Sequence, residues 1–326
     1  MKSIVFIIPY FGHFNNYFEI WLNSCAHNPT IDWLIFTDCK DEHNYPKNVK
    51  VVYTTFAEIR ARFQSFYDFP ISLEKPYKLC DFKPAYGEVF YEYIKDYDFW
   101  GYCDTDLVWG DIRKFITKEI LEQYDKIGCQ GHCCILKNTD KMRKFYRYES
   151  NDHITFKEAF SSKLSYRFDE DDLAFGGYCK VSQIAYYDNI TFFDVDFCYD
   201  DYRVPSYEKY VFTVYAHNIF EYKKGKLMLW SVKVGENTIS KKEIFYVHFQ
   251  KRKMKIKTDT FCHYLIYKDT FSSFIPITIG NIKNLDPKTW KRNLYLNILW
   301  QKIKAEIFCG SGVRYYKYKI NIHKGK

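Results

Sequence analysis

The chain has 326 residues, of which 47% are hydrophobic and 21% aromatic, enough to core an α/β domain that carries an appendage, and it shows no repeat or low-complexity segment. Its net charge of +8 sits at the C-terminal end: residues 283–326 hold eleven Lys or Arg against Asp286 and Glu306, a balance of +9 that leaves −1 for the rest. A near-neutral body argues against a nucleic-acid groove, and eleven cysteines, an odd number at scattered spacing, argue against a disulfide framework and for a reducing compartment.

Ile4 to Ile8 reads as a compact apolar strand, closed by the turn Pro9 to Gly12. Lys2 precedes only this short run, no small-residue cleavage site follows, and no apolar stretch is long enough to span a bilayer, so the expected location is cytoplasmic. Phe14, Tyr17, Phe18, Trp21, Leu22 and Cys25 recur at helical spacing, and Trp33 to Thr37 is a second strand ending at Asp38. A strand, helix, strand unit of this length implies parallel strands with a right-handed crossover. In such a half the first turn and the end of the next strand line the ligand crevice, which makes Pro9, Tyr10, Phe11 and Asp38 candidates for holding base and ribose. A strand-end cap is the other reading of Asp38. The glycine fingerprint of a dinucleotide fold is missing from this turn.

Val49 to Tyr53 is a third strand, followed by a less regular excursion to Leu73. In KPYKLCDFKPAYGEVFYEYI, Pro84 suits the first turn of a helix whose buried stripe is Tyr86, Val89, Phe90, Tyr93 and Ile94. Lys78, Asp81 and Lys83 then cluster at or before a helix N-terminus, which itself favours anions; the bland alternative is a solvated charged turn.

Phe99 to Cys103 reads as a buried strand that ends in Asp104-Thr105-Asp106, with an aromatic, Gly-containing turn, Val108 to Ile112, after it. Two carboxylates projecting from the carboxyl edge of a sheet repel each other, and a hard divalent cation shared with substrate phosphates relieves that repulsion. Ile116 to Tyr124 is expected to be helical, Ile127 to Leu136 a strand passing through Gly128 and Gly131, and Asp140 to Tyr148 a helix capped by Thr139. Cys129, His132, Cys133 and Cys134 lack the second ligand pair of a structural zinc site, so they read as core cysteines and a core histidine near the site.

A second acidic group, Phe168-Asp169-Glu170-Asp171-Asp172, precedes Gly176-Gly177. A carboxylate beside glycines that let a substrate approach can act as a general base or stabilise positive charge, although four consecutive acids also suit a solvated helix start. Asp194 and Asp196 are the fallback for that role. Ile190 to Phe197 and Tyr210 to Ile219 have β character, Lys224-Gly225 makes a hairpin turn, and the short strand Phe245 to Phe249 carries His248, followed by Lys251, Arg252 and Lys253. Trp290 to Phe308 is a basic amphipathic helix, suited to anionic lipid, a partner or a core.

The Lys-Pro helix followed by WGYCDTDLVWGD resembles the DxD element of nucleotide-sugar glycosyltransferases of the GT-A fold, and more closely that of bacterial capsular and exopolysaccharide biosynthesis transferases, over residues 1–250. The resemblance implies an α/β fold: a GT-A-like, Rossmann-type mixed sheet flanked by helices over residues 1–255, with a basic C-terminal helical appendage over residues 256–326. It implies Mn²⁺ or Mg²⁺ on Asp104 and Asp106, with the donor diphosphate on the same ion at Asp104. It also implies uridine at Pro9, Tyr10, Phe11 and Asp38, and donor sugar and diphosphate at Lys78, Asp81 and Lys83. Asp169 and Glu170 match an FDE element before glycines and would be catalytic. His248 would be a late metal ligand with Lys251 on the diphosphate, although the Gly-x-x-Lys usually seen after such a His is missing here.

The function so implied is metal-dependent hexosyl transfer from a nucleoside diphosphate sugar, a UDP-sugar, to a glycan or lipid-linked oligosaccharide acceptor of surface polysaccharide synthesis. No nucleic acid is expected as a partner, and the basic tail would sit peripherally on the anionic inner face of the cell membrane. The rivals are a non-catalytic carbohydrate-binding protein on the same fold and a nucleotidyltransferase, which would ordinarily carry a Gly-rich phosphate loop in the first turn. Donor sugar, acceptor, linkage and stereochemistry are not written in these residues.

Overall fold

The computed structural model of the chain describes residues 1–149, 152–190, 192–196, 201–204, 211–212, 216–250 and 252–287. Runs of β-branched and aromatic residues form β1 (Ile4–Pro9), β2 (Ile31–Thr37), β3 (Val49–Tyr53) and β4 (Phe99–Cys103), which lie parallel in the order β3-β2-β1-β4. The chain winds outward from β1 and then returns to place β4 on its other flank. In open α/β sheets ligands bind beyond the carboxyl ends of the strands at such a switch point, here those of β1 and β4.

β5 (Leu107–Trp109) leaves this sheet for another, while β6 (Lys126–Gln130), β7 (Cys133–Lys137) and β8 (Tyr186–Tyr187) complete a seven-stranded mixed sheet, with β7 antiparallel to β4. β4 is buried along its whole length, as expected for a strand covered on both faces. One face carries the helix Phe18–Ala26 and the rings of Trp21, Trp33 and Trp109, with Phe6 stacked 5.5 Å from Trp109. The other is covered by the helix Phe56–Gln64, the helical segment 76–94 and the helices Phe156–Ser161 and Phe175–Val181.

The later chain forms β9 (Phe193–Asp196), β10 (Asp201–Val204), β11 (Val211–Phe212), β12 (Ala216–Lys223), β13 (Lys226–Lys233), β14 (Ile239–Glu243), β15 (Tyr246–His248), β16 (Lys255–Lys257), β17 (His263–Tyr267) and β18 (Thr270–Ser273). Five of the strands pair in the order β11-β10-β9-β15-β5, and six in the order β14-β13-β12-β17-β18-β16. The expected boundary between residues 255 and 256 falls at the start of β16, inside this six-stranded sheet, where β17 pairs with β12. The basic helix expected at Trp290 to Phe308 lies outside the described residues. No helix among the described residues is long and apolar enough to cross a membrane.

The first helix begins only at Phe18, after a turn that runs from Tyr10. The excursion before Leu73 contains the helix Phe56–Gln64, closed by a reciprocal capping box between Thr55 and Glu58 whose T-x-x-E signature was open to reading. The Lys-Pro helix starts already at Pro76 and advances in short α and 3₁₀ pieces to Ile94, because Pro84 lacks the N–H that a continuous helix would use. The strand expected over Ile127 to Leu136 is a hairpin, β6 and β7, and the turn expected at Val108 to Ile112 holds most of β5.

Gly87 marks where the segment 76–94 meets the sheet: a Cβ there would lie 2.2 Å from Cε2 of the buried Trp100 indole. Gly87→Ala is therefore expected to destabilise the chain by about 1–3 kcal/mol, read as a lower urea midpoint. An unchanged midpoint would mean that the helical segment shifts without cost.

Candidate functional site

β4 delivers Asp104, Thr105 and Asp106 to the switch point, and three backbone contacts hold them. Asp104 N–H donates to the His132 carbonyl at 3.1 Å, Asn15 Nδ2 donates to the Thr105 carbonyl at 3.0 Å, and Phe249 N–H donates to the Asp106 carbonyl at 2.8 Å. The last contact follows from register, since β15 pairs antiparallel with β5 so that His248 faces Leu107, directly after Asp106. On its other edge β15 runs parallel to β9 and brings His248 beside Asp194.

His248 is thus held between acids. Its Nδ1 lies 2.9 Å from Asp194 Oδ1, and Gln250 Nε2 donates to Asp194 Oδ2 at 2.6 Å. Its Nε2 is buried and, among the described residues, makes no hydrogen bond of regular geometry, yet it lies 3.2 Å from Asp106 Oδ1 and 3.9 Å from Asp104 Oδ2. Burial alone would lower the affinity of this imidazole for a proton, but the Asp106 and Asp194 carboxylates outweigh it and hold the His248 pKa well above its ordinary value. A proton there answers the same excess of negative charge that a divalent cation would. One ligand atom from each of Asp104, Asp106 and His248 falls within 4.8 Å of the others. Two carboxylates and one imidazole, with Asp104 still 34% exposed toward solvent, make a donor set that fits Mn²⁺ or Mg²⁺ with positions left for a substrate. His132 stacks on His248 at 4.2 Å and bonds Tyr246 Oη at 3.0 Å through Nδ1. Burial, helped by the neighbouring His248, pushes its pKa down to about 4, so this ring stays neutral.

The FDE segment faces the same centre. Lys83 Nζ donates to Asp104 Oδ1 at 2.6 Å and to the Gly131 carbonyl at 2.8 Å, and lies 3.6 Å from Asp169 Oδ2. Asp169 is 4% exposed, and its burial raises the carboxyl above the usual range while Lys83 pulls the other way. Glu170 takes the opposite course: burial would raise it, but Arg167, whose Nε donates to Oε1 at 2.7 Å, leaves it lowered. Gly131 permits this approach, since a Cβ there would lie 2.4 Å from Asp169 Oδ2; its N–H donates to Glu170 Oε2 at 3.2 Å. Of the acids expected as a solvated helix start on the bland reading, Asp169 is built into the interior and Glu170 is half-buried, whereas Asp172 is exposed.

Lys78 and Asp81, expected beside Lys83, have other occupations. Lys78 Nζ donates to the carbonyls of Ala159 and Leu164 and to Asp81, while Asp81 accepts the N–H groups of Tyr166 and Phe168 at 3.0 Å. The buried pair clamps the loop that ends in Asp169. At the carboxyl edge of β1, Pro9 ends the strand, Phe11 packs edge-on against Phe56, and Tyr10 stacks on Phe14 at 4.6 Å. Burial, with the Asp106 and Asp104 carboxylates in reach, raises the Tyr10 phenol. Asp38 Oδ1 accepts Gly12 N–H at 2.8 Å at the surface. Lys251 lies outside the described residues.

Residues 6–275 match a family described as "Family of unknown function (DUF6625)". The chain belongs to that family. No curated protein matches it. Among solved structures it is similar to the galactosyltransferase LgtC, crystallised with donor and acceptor sugar analogues, at 12% identity and a TM-score of 0.27. The likeness covers 45% of this chain and 60% of that one, so the chain spans about three-fifths of the enzyme's length.

Sequence reading undervalued three residues of this DUF6625 centre. Asn15, in the turn before the first helix, and Gln250, just past His248, carried no signal. Asp194 stood only as a spare acid, because its partnership with His248 spans β9 and β15. Such a carboxylate fixes the tautomer of a ligating imidazole so that the other nitrogen faces the ion. An amide can donate to Nδ1 instead, which would put the proton on Nε2. Asp194→Asn is therefore expected to weaken Mn²⁺ binding by about 10–100-fold, and to lower the thermal midpoint because the buried His248 loses a carboxylate partner. Equal affinities in calorimetry would show that Asp194 does not orient His248.

Proposed function

We propose that this DUF6625 chain is a metal-dependent glycosyltransferase of GT-A architecture. It moves a sugar from a nucleoside diphosphate sugar, a UDP-sugar, onto a bacterial surface polysaccharide intermediate. The observation that carries the reading is the convergence of Asp104, Asp106 and His248 at the carboxyl end of β4, with Lys83 joining Asp104 to Asp169. In this reading Asp104, Asp106 and His248 hold Mn²⁺ or Mg²⁺. When bound, the cation screens the negative charge that grows on the departing diphosphate.

The chain's own groups do the rest. Lys83, already bridging the two acid sets, is in position to follow a phosphate or sugar oxygen. The Tyr10 and Phe14 stack offers a flat apolar platform to a base, Pro9 and Phe11 shape its floor, and Asp38 is at hand for a ribose hydroxyl. Asp169 and Glu170 meet the acceptor hydroxyl or the reacting sugar. The opposed environments of these neighbours suit one group that keeps a proton and one that stays ionised. Lys78 and Asp81 act through the loop they clamp, and Lys251 contacts the diphosphate. The basic tail brings the enzyme to the anionic membrane face where a lipid-linked acceptor is presented.

A panel of nucleotide sugars assayed for hydrolysis without acceptor tests the core of this reading. One UDP-sugar is expected to be hydrolysed only with Mn²⁺ or Mg²⁺, and Asp106→Asn should abolish that dependence. Asp169→Asn or Glu170→Gln should keep donor affinity while lowering transfer by about a hundredfold or more. Sugar binding without turnover in any member of the panel would favour the carbohydrate-binding alternative. For the tail, flotation with anionic vesicles should show binding that weakens with salt and disappears when residues 288–326 are removed. Salt-insensitive binding would count against an electrostatic dock.

A further inference from the structure

A second group of ligating side chains lies at the carboxyl ends of β1 and β2, apart from the acid centre. A ring nitrogen of His13, Cys39 Sγ and an Asp41 carboxylate oxygen all fall within 4.8 Å of one another, and His13 Nδ1 is 2.8 Å from Asp41 Oδ2. We infer that His13, Cys39 and Asp41 form a zinc site that ties the turn after β1 to the loop after β2.

The donor types choose the metal. A thiolate, an imidazole and a carboxylate suit Zn²⁺, whereas the oxygen-rich set at Asp104 and Asp106 suits harder ions. The spacing is compatible, because bonds of about 2.0–2.3 Å in a tetrahedron place ligand atoms roughly 3.3–3.8 Å apart. Closing from the present separations takes only side-chain rotation by the two mobile partners, since the His13 and Asp41 side chains are 86% and 51% exposed. Cys39 supplies the fixed point: it is buried, and its N–H donates to Thr37 Oγ1 at 3.0 Å. The opposite arm is held as well, by the Gly12 N–H on Asp38 and the Tyr10 N–H on the Phe36 carbonyl at 2.8 Å each.

Little stands in the way of the metal. The exposed His13 and Asp41 contact that it would replace is of a kind worth little in water. On binding, the Cys39 S–H bond breaks and its proton leaves to solvent as the Zn–S bond forms, while His13 offers a nitrogen of its neutral ring and Asp41 a carboxylate. Because the thiol must give up its proton to the solvent, binding tightens as the pH rises. Three protein ligands leave a fourth position open to water or an incoming donor atom. The inference uses none of the residues of the acid centre and stands whether or not the chain transfers sugar.

Cobalt(II) reports on the site by its spectrum. In the full chain carrying Asp106→Asn, which disables the other cation centre, Co²⁺ is expected to produce a near-ultraviolet thiolate-to-cobalt absorption band that Zn²⁺ bleaches by displacement. Cys39→Ser should remove the band, and Cys262→Ser, at an exposed cysteine, should keep it. His13→Ala, at a surface position that cannot disturb the core, should weaken Co²⁺ binding by at least about tenfold. The inference is overturned by the lack of a thiolate band, by a band that survives Cys39→Ser or depends on Cys262, or by unchanged affinity in His13→Ala.

Discussion

Asp106, Asp169 and Asp194 are buried at one end of the central sheet with the half-exposed Asp104 among them, and charges a few ångström apart in a dry interior repel far more strongly than in water. The register of β15 makes the arrangement tenable. By pairing antiparallel with β5 and parallel with β9, this short strand inserts His248 between Asp106 on one side and Asp194 on the other. Each imidazole nitrogen then meets a carboxylate. Removing one member of such a buried set leaves its partners uncompensated, a loss of about 3–5 kcal/mol in comparable pairs.

Lys83 does for the front of the centre what His248 does for the back. It reaches Asp104 and Asp169 from a segment that also carries Lys78, and the two lysines divide their work by position along the broken helix. Lys78 turns into the protein and, with Asp81, fastens the loop 164–168; Lys83 turns to the crevice and spans the two acid sets. The Asp81 carboxyl is itself raised by burial, which Lys78 and the loop N–H groups partly offset. The clamp is thus tuned by the loop it holds. The Asp169 position depends on it and on the open space at Gly131, so the geometry at the front of the centre rests on two packing contacts.

Much of the framework was legible in the residues alone. The apolar runs at Ile4 to Ile8, Trp33 to Thr37 and Phe99 to Cys103 announced parallel strands, because strands buried on both faces must be apolar throughout, and Val49 to Tyr53, at the exposed edge, was recognisable by its valines. The position of Asp104 and Asp106 at the end of the fourth followed, since a β-strand cannot end without projecting what comes next from the sheet edge. The capping box at Thr55 and Glu58 was equally readable, although the surrounding charge made that stretch resemble a loop.

Other features belong to contacts that no local pattern records. Gln130-Gly131-His132 mark the turn that divides Ile127 to Leu136 into a hairpin, but the buried apolar residues of β6 and β7 on either side of so short a break make the stretch resemble one strand. Period could not separate Lys78 from Lys83, whose fates were set by which loop packed against each. His248 stood out as a residue type, but its meeting with Asp194 and Asp106 required three strands distant in sequence to share an edge. Composition and periodicity determine which segments form elements and which faces they bury. Which charged side chains meet was decided by strand register, since each carboxylate acquires its environment from backbone that folds against it from elsewhere in the chain.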